Sequence, residues 1–254
     1  MRFCSLGSGS RGNAWIVEAG GTRVMVDCGF GVQETGRRLA NAGLAPEDIS
    51  AIVVTHEHSD HVGGVARFAL RHGTPVWMTA GTFSLFSAVS DEIPEVQLFA
   101  IDAPFAVGDV GIDPFPVPHD AREPAQFVFD DGDVRVAILT DAGRVTAHMA
   151  EKLTGLAAFV LECNHDAGML RRGPYPPALK ARIASGFGHL ENGEAAALLG
   201  RVDCARLRHV VAAHLSETNN DPALARAALA GALGCETDWI AVADQDQGLP
   251  WREL

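Results

Sequence analysis

The segment Thr55-His56-Glu57-His58-Ser59-Asp60-His61 constrains this chain more than any other, because it sets three histidines and an aspartate within six consecutive positions. It follows an apolar run at 51–55 that reads as a buried strand, and it leads into a helical pattern over 61–71. A polar cluster at the carboxyl end of a buried strand is where layered α/β folds place their chemistry. The spacing reads as a metal loop. Alternate residues of an extended segment point the same way, so His56 and His58 can converge on one ion while Asp60 and His61 face a second. Neutral imidazoles and a carboxylate suit Zn, Mn, Fe or Ni alike, so the ligand types leave the metal open.

Around this loop the chain alternates strands and helices. Strands are expected at 3–6, 15–18 and 23–27, with the glycine turns GSGSRGN and AGGT between them. A helix follows at 33–41, then strands at 76–79, 96–99, 105–110 and 111–116. Asp130-Asp131-Gly132-Asp133 reads as the turn of a hairpin between 126–129 and 134–139. From 157 the order nearly repeats: a strand at 157–161, helical segments within 165–185 and 192–201, and a strand at 209–213. A helix at 222–232 and a strand at 239–242 close it. Two sheets, each covered by helices, account for this order, so the expected fold class is α/β, a four-layer αββα sandwich. Without a linker-like composition shift or a short repeat, residues 1–254 read as a single domain.

Composition narrows the setting. A hydrophobic content of 47% excludes a disordered chain, and five cysteines without a CxxC pair do not make a disulfide scaffold. They read as reduced thiols, which places the protein in the cytoplasm. No apolar run is long enough to span a bilayer and the first residues lack the apolar core of a signal peptide, so no membrane partner is expected. The net charge of −12 argues against a broad coating of basic residues for nucleic acid.

Polar residues at later strand ends complete the expected ligand set. His119 follows Phe115-Pro116-Val117-Pro118, Asp141 follows Thr140 after an apolar strand, and His214 follows the apolar run 210–213. One such residue alone is ordinary exposure at a turn; three of them after a metal loop read as ligands. Asp141 is the expected bridge, since a carboxylate has two oxygens to share. His72 and His148 fall on expected helices and read as surface residues, and His209 opens a strand.

These positions, with the glycine-bounded Asp27 as support for the metal loop, resemble the metallo-β-lactamase-fold hydrolases. FCSLGSGSRGN, VDCGF, VPHDAREP, LTDAG, LECNHD, GHLEN and HLSETNN together resemble the YycJ (WalJ) branch of that superfamily, from residue 3 to about 221. The resemblance implies the αββα fold, a dinuclear metal site and a phosphodiesterase activity, with a 5′-to-3′ DNA exonuclease as the activity attributed to the branch. Too few residues separate Asp141 from His214 for the inserted lobe of the β-CASP nucleases, and no tRNA-binding arm is apparent.

An oxygen ligand, Asp141, stands where the best-known class B lactamases carry a cysteine. A bridging carboxylate favours two ions about 3.5 to 4 Å apart, suited to in-line phosphoryl displacement by a metal-activated hydroxide. Asp60 belongs to that catalytic group. The leaving oxygen needs a proton donor, and His189 is the candidate, oriented and kept protonated by Glu162. This pair is similar to the Glu and His dyad of the tRNA 3′-processing relatives, and the alternative is that both residues cap their elements.

For phosphate contact, GSGSRGN offers Ser8, Ser10, Arg11 and Asn13, or is only a turn. The stretch 169–182 gathers Arg171, Arg172, Lys180 and Arg182 around the one tyrosine, Tyr175, and reads as a grip on a DNA end or as a solvated helix face. Ser216, Thr218, Asn219 and Asn220 either bind phosphate oxygens or cap the next helix. The expected function is a two-metal phosphodiesterase acting on DNA ends or another phosphodiester. The alternative is a thioester or lactone hydrolase using the same ions, for which four nearby cations have no use. Two divalent ions, Zn, Mn or similar, add about +4 locally and reverse the acidic field where a phosphate arrives.

Overall fold

The computed structural model describes residues 1–87 and 95–254. The first half of the chain forms β1 (Arg2–Gly7), β2 (Ala14–Ala19), β3 (Thr22–Val26), α1 (Val32–Asn41), β4 (Ala51–Val53), α2 (Ser59–Val62), α3 (Val65–His72), β5 (Val76–Met78), α4 (Ala80–Phe86) and β6 (Val96–Leu98). The second half forms β7 (Phe105–Val107), β8 (Val110–Pro116), β9 (Ala125–Asp130), β10 (Arg135–Leu139), α5 (Ala147–Lys152), β11 (Ala158–Glu162), α6 (Ala167–Arg172), α7 (Pro177–Ile183), α8 (Asn192–Leu199), β12 (His209–Ala213), α9 (Pro222–Leu233), β13 (Ile240–Val242) and β14 (Leu249–Glu253).

The strands make two seven-stranded sheets, ordered β14-β1-β2-β3-β4-β5-β6 and β13-β12-β11-β10-β9-β8-β7. Side chains alternate between the two faces of each strand, and here both faces are apolar because both are covered. Phe3, Trp15, Val17, Val24 and Val26 of the first sheet meet Phe127, Phe129, Val136, Ile138 and Val160 of the second in one core. The opposite faces carry Ile16 and Met25 against Leu39 and Phe68 of the first helical layer. On the other side Ala137, Phe159 and Leu161 pack against Met149, Leu198 and Leu229 of the second. Three apolar layers between four structural ones are the αββα sandwich. Each fully buried Phe or Leu in them contributes about 1.5 to 3 kcal/mol.

The strands β3 to β6 are parallel to one another, as are β10 to β13, and this fixes where the polar residues go. The carboxyl ends of β3, β4, β10, β11 and β12 deliver Asp27, the histidine loop, Asp141, Glu162 and His214 to one cleft.

The architecture departs from the sequence expectation in four places. The helix expected at 61–71 is two helices, α2 and α3, with Gly63 and Gly64 between them. A Cβ on Gly64 would overlap the carbonyl oxygen of Phe30, so the break lets the histidine loop press against residues 28–30. The helical segment expected within 165–185 is likewise two helices, parted at Gly173 to Pro176. α4 was not expected; the Thr79 hydroxyl caps it by accepting a hydrogen bond from the Thr82 amide at 3.2 Å. The chain closes on β14, not β13. Pro250 and two charged residues hide β14 from a strand pattern, and they are tolerated because it is an edge strand paired only with β1.

Candidate metal centre

Backbone geometry at three strand ends turns side chains into the cleft. Asp27, Asp141 and His214 adopt left-handed φ angles of 60°, 53° and 54°. Such conformations cost on the order of 1–3 kcal/mol each in non-glycine residues and persist where surrounding contacts over-determine them. Here the contacts are visible. Asp27 Oδ1 accepts the Thr55 amide at 2.8 Å, its Oδ2 accepts the Thr55 hydroxyl at 2.9 Å, and His61 Nδ1 donates to Oδ2 at 2.7 Å. The Asn13 amide donates to the Asp60 carbonyl at 2.8 Å and the Cys28 amide to that of His61 at 2.8 Å. Gly29 is packed so tightly beneath Asp60 that a Cβ would overlap the Asp60 carbonyl.

The histidines are each tied at one ring nitrogen and turned inward at the other. His119 Nδ1 donates to the Gly188 carbonyl at 3.0 Å, and His58 Nε2 donates to the Asp120 carbonyl at 3.2 Å. His56 Nδ1 lies 2.9 Å from the Thr55 hydroxyl. These outer partners fix which nitrogen keeps its lone pair, as supports of metal-binding histidines do. The inward atoms fall into overlapping groups whose members all lie within 4.8 Å of one another: His56, His58 and His119; Asp60, His61 and His214; and Asp141 with His56 and His61.

The donor set fits divalent cations on its own chemistry. His56 Nε2, Asp141 Oδ2 and His214 Nε2 are buried without a hydrogen-bond partner, an arrangement that native proteins otherwise avoid. Asp141 Oδ2 lies 3.0 Å from His61 Nε2 but outside hydrogen-bond alignment. Burial and the nearby His61 hold His56 well below the usual imidazole range, so it stays a neutral donor. Burial alone would raise Asp141; the imidazoles of His214 and His61 outweigh it and hold the carboxyl ionised. Oxygen and imidazole donors of this kind suit a borderline or hard divalent ion.

Glu162, fully buried at the end of β11, faces His189. Its Oε1 accepts from His189 Nδ1 at 2.8 Å, and its Oε2 accepts the Ala142 amide at 2.8 Å and the Leu190 amide at 3.3 Å. Asp141 Oδ1 lies 3.2 Å from the same ring nitrogen. Burial would lower His189, but the charges of Glu162 and Asp141 overcome it and push the ring up to about 11. With Nδ1 committed to Glu162, Nε2 is the uncommitted ring nitrogen, and the side chain, 24% exposed, lines the cleft.

The cleft beside these residues has a volume of about 370 Å3 and is lined by Ser10, Asp60, Asp141, Tyr175, Arg182 and His189. Other expected contacts lie elsewhere. Ser8 is buried and its hydroxyl accepts the His214 amide at 2.9 Å, while Asn13 Oδ1 accepts the Gly9 amide at 2.9 Å and Asn13 Nδ2 reaches Asp60 Oδ2 at 3.3 Å. Both brace the loops that carry candidate ligands. The Ser216 hydroxyl accepts the Asn219 amide at 3.1 Å, which closes the turn before α9, and Asn219 is buried. Arg11 is engaged by Glu217 and Asp246. Arg172 folds back over Gly168, and Arg171 lines an adjoining cavity.

Four contributors lie inside motifs quoted from the sequence but were not singled out there as site residues: Thr55, Asp120, Asn164 and the Gly188 carbonyl. Asp120 takes Arg182 at 2.6 Å, and Asn164 Nδ2 donates to the His214 carbonyl at 3.1 Å.

A family model described as the beta-lactamase superfamily domain matches residues 22–214. The chain is 36% identical over 235 residues to the exodeoxyribonuclease YycJ of Bacillus anthracis, covering 92% of this chain and 89% of that one. It is 33% identical over 237 residues to the exodeoxyribonuclease WalJ of Streptococcus pneumoniae, covering 92% and 88%. In fold it is similar to the metallo-beta-lactamase fold protein YhfI of Bacillus subtilis, with a TM-score of 0.78 over 99% of both chains at 15% identity.

Proposed function

The chain belongs to the metallo-β-lactamase superfamily, and we propose that within it the protein is a metal-dependent nuclease, a 5′-to-3′ exonuclease acting on DNA ends. Relatives similar over most of the chain carry the name exodeoxyribonuclease, which supports a phosphodiester substrate. The observation that carries the reading is the Glu162–His189 pair, a proton donor held 2.8 Å from its carboxylate at the edge of the ligand groups. Hydrolysis of a DNA phosphodiester expels a poor alcohol leaving group and gains from such a donor.

Two divalent ions, Zn or Mn, are the proposed cofactors. One would be held by His56, His58 and His119, the other by Asp60, His61 and His214, with Asp141 shared between them. Bound there, such ions supply Lewis acidity that acidifies water and neutralises phosphoryl oxygens. The protein's own groups do the rest. Ser10, Tyr175 and Arg182 border the cleft into which the phosphate enters. Asp60, partly exposed there, orients the attacking water. As a hydroxide formed from that water, its proton released to solvent, bonds through oxygen to phosphorus and the bond from phosphorus to O3′ breaks, His189 Nε2 gives its proton to O3′ and Glu162 steadies the ring. A thioester hydrolase would share the ligand set, but its acidic thiol leaving group needs no protonation.

No helix among the described residues is long and apolar enough to cross a membrane. The five cysteines are free, which supports a reducing, cytoplasmic setting.

The test is incubation with end-labelled single- and double-stranded DNA and RNA under Mn, Mg and Zn. Stepwise release of mononucleotides from DNA 5′ ends supports the reading. Turnover of a thioester or lactone with neither nucleic acid degraded overturns it.

A further inference from the structure

A second cavity of about 650 Å3 lies against the metal cleft, and His189 is a wall of both. α6, α7 and the start of α8 enclose it, and His165, Leu170, Arg171, Lys180, Ala181 and Glu191 are among its lining residues. Its volume is that of a small-molecule site. Three observations mark it as more than a gap between helices. His165 is 3% exposed, yet its Nδ1 has no hydrogen-bond partner. Among the described residues Arg171 and Lys180 have no carboxylate partner; the Lys180 ammonium donates only to the Arg171 carbonyl at 2.9 Å. By contrast Arg182, on the metal-cleft side of the same helix, is paired with Asp120.

We propose that this cavity holds the terminal nucleotide of the DNA strand, the one released by each turnover. The inference rests on the nuclease reading above and adds where the leaving nucleotide sits. A proton donor must stand beside the leaving oxygen, and the group bearing that oxygen must lie on the donor's side of the phosphorus. His189 therefore separates the scissile phosphate in the metal cleft from the departing nucleoside in the second cavity. Cleavage from a 5′ end releases a nucleotide through its O3′, with its own phosphate at the far end of the sugar. Arg171 and Lys180 meet that 5′-phosphate, as unpaired cations bind phosphate by charge-assisted hydrogen bonds. Leu170 and Ala181 give the base an apolar surface, and Glu191 offers a polar partner to its edge. Every base has an apolar face, so the pocket accepts any of the four.

Two variants test this. Ala181 is exposed on α7, so Ala181→Trp fills the cavity without entering a core. Calorimetry of the metal-loaded protein with deoxyadenosine 5′-monophosphate and with inorganic phosphate separates the cavity from the metal cleft. The wild type prefers the nucleotide, and Ala181→Trp lowers the ratio of the two affinities by about tenfold or more. The Arg171→Ala/Lys180→Ala double variant is assayed on duplex DNA carrying a 5′-phosphate or a 5′-hydroxyl. The wild type favours the phosphorylated end by about tenfold or more, and the double variant loses that preference. An unchanged affinity ratio in Ala181→Trp overturns the cavity as the nucleotide site. An unchanged end preference in the double variant overturns the phosphate's place at Arg171 and Lys180. If the wild type degrades no DNA, the nuclease reading fails, and the calorimetry still decides whether the cavity takes a nucleotide.

Discussion

Asp27 Oδ2 lies 2.7 Å from His61 Nδ1, and the same carboxylate takes both the amide and the hydroxyl of Thr55. One buried acid thus sets the ring orientation of a candidate ligand and pins the start of the loop carrying three more. Outer partners of this kind tune affinity at a metal centre and are felt when removed.

Asp27→Asn keeps the left-handed backbone, which asparagine tolerates, and keeps a hydrogen-bond acceptor for Thr55. It removes the charge that favours an Nδ1–H on His61. Metal affinity should fall about 10- to 100-fold, read by competition with a chromogenic chelator. An affinity equal to wild type would remove Asp27 from the metal centre.

Asp141→Asn keeps the size of the side chain but removes the charge shared by both ligand groups. Metal content after dialysis should drop for the protein as a whole, with activity lost in parallel. A variant that retains a full metal complement by elemental analysis speaks against Asp141 as a shared ligand.

Metal removal should destabilise the fold, because the candidate ligands His56 and Asp141 are buried with unpartnered atoms. Metal at about 1,000 times its Kd adds about 4 kcal/mol. At about 2 to 4 °C per kcal/mol for a chain of this size, Tm should rise on the order of 10 °C on reloading a chelator-treated sample. Equal melting temperatures with and without metal would count against the centre.

Gly64→Ala places a methyl group against the Phe30 carbonyl, where the histidine loop meets residues 28–30. A loss of about 1 to 3 kcal/mol in denaturant unfolding is expected, with weaker metal binding because the loop must shift. Wild-type stability and affinity would show that the close approach is dispensable.

The legible parts of this molecule were those encoded locally. Three histidines and an aspartate in one loop, and polar residues directly after apolar strands, pointed to candidate ligands that the fold brings together at its strand ends. The αββα layering was readable from the order of strands and helices, which nearly repeats after residue 157. What escaped depended on distant partners. β14 reads as a polar tail until β1 accepts it as an edge strand. Ser8 and Asn13 resemble phosphate donors in a glycine-rich turn, and only the fold shows them turned toward the His214 amide and Asp60. His165 lies in the quoted LECNHD segment without being singled out, because its place in the wall of a cavity depends on helices distant in sequence.

The identity of the proton donor is the centre of the account, and leaving-group dependence tests it most directly. Wild type and His189→Ala are compared on DNA, whose alcohol leaving group needs a proton, and on bis(p-nitrophenyl) phosphate, whose nitrophenolate does not. The account predicts a loss of about 100-fold or more on DNA and a much smaller loss on the nitrophenyl ester. Equal losses on the two substrates would contradict it.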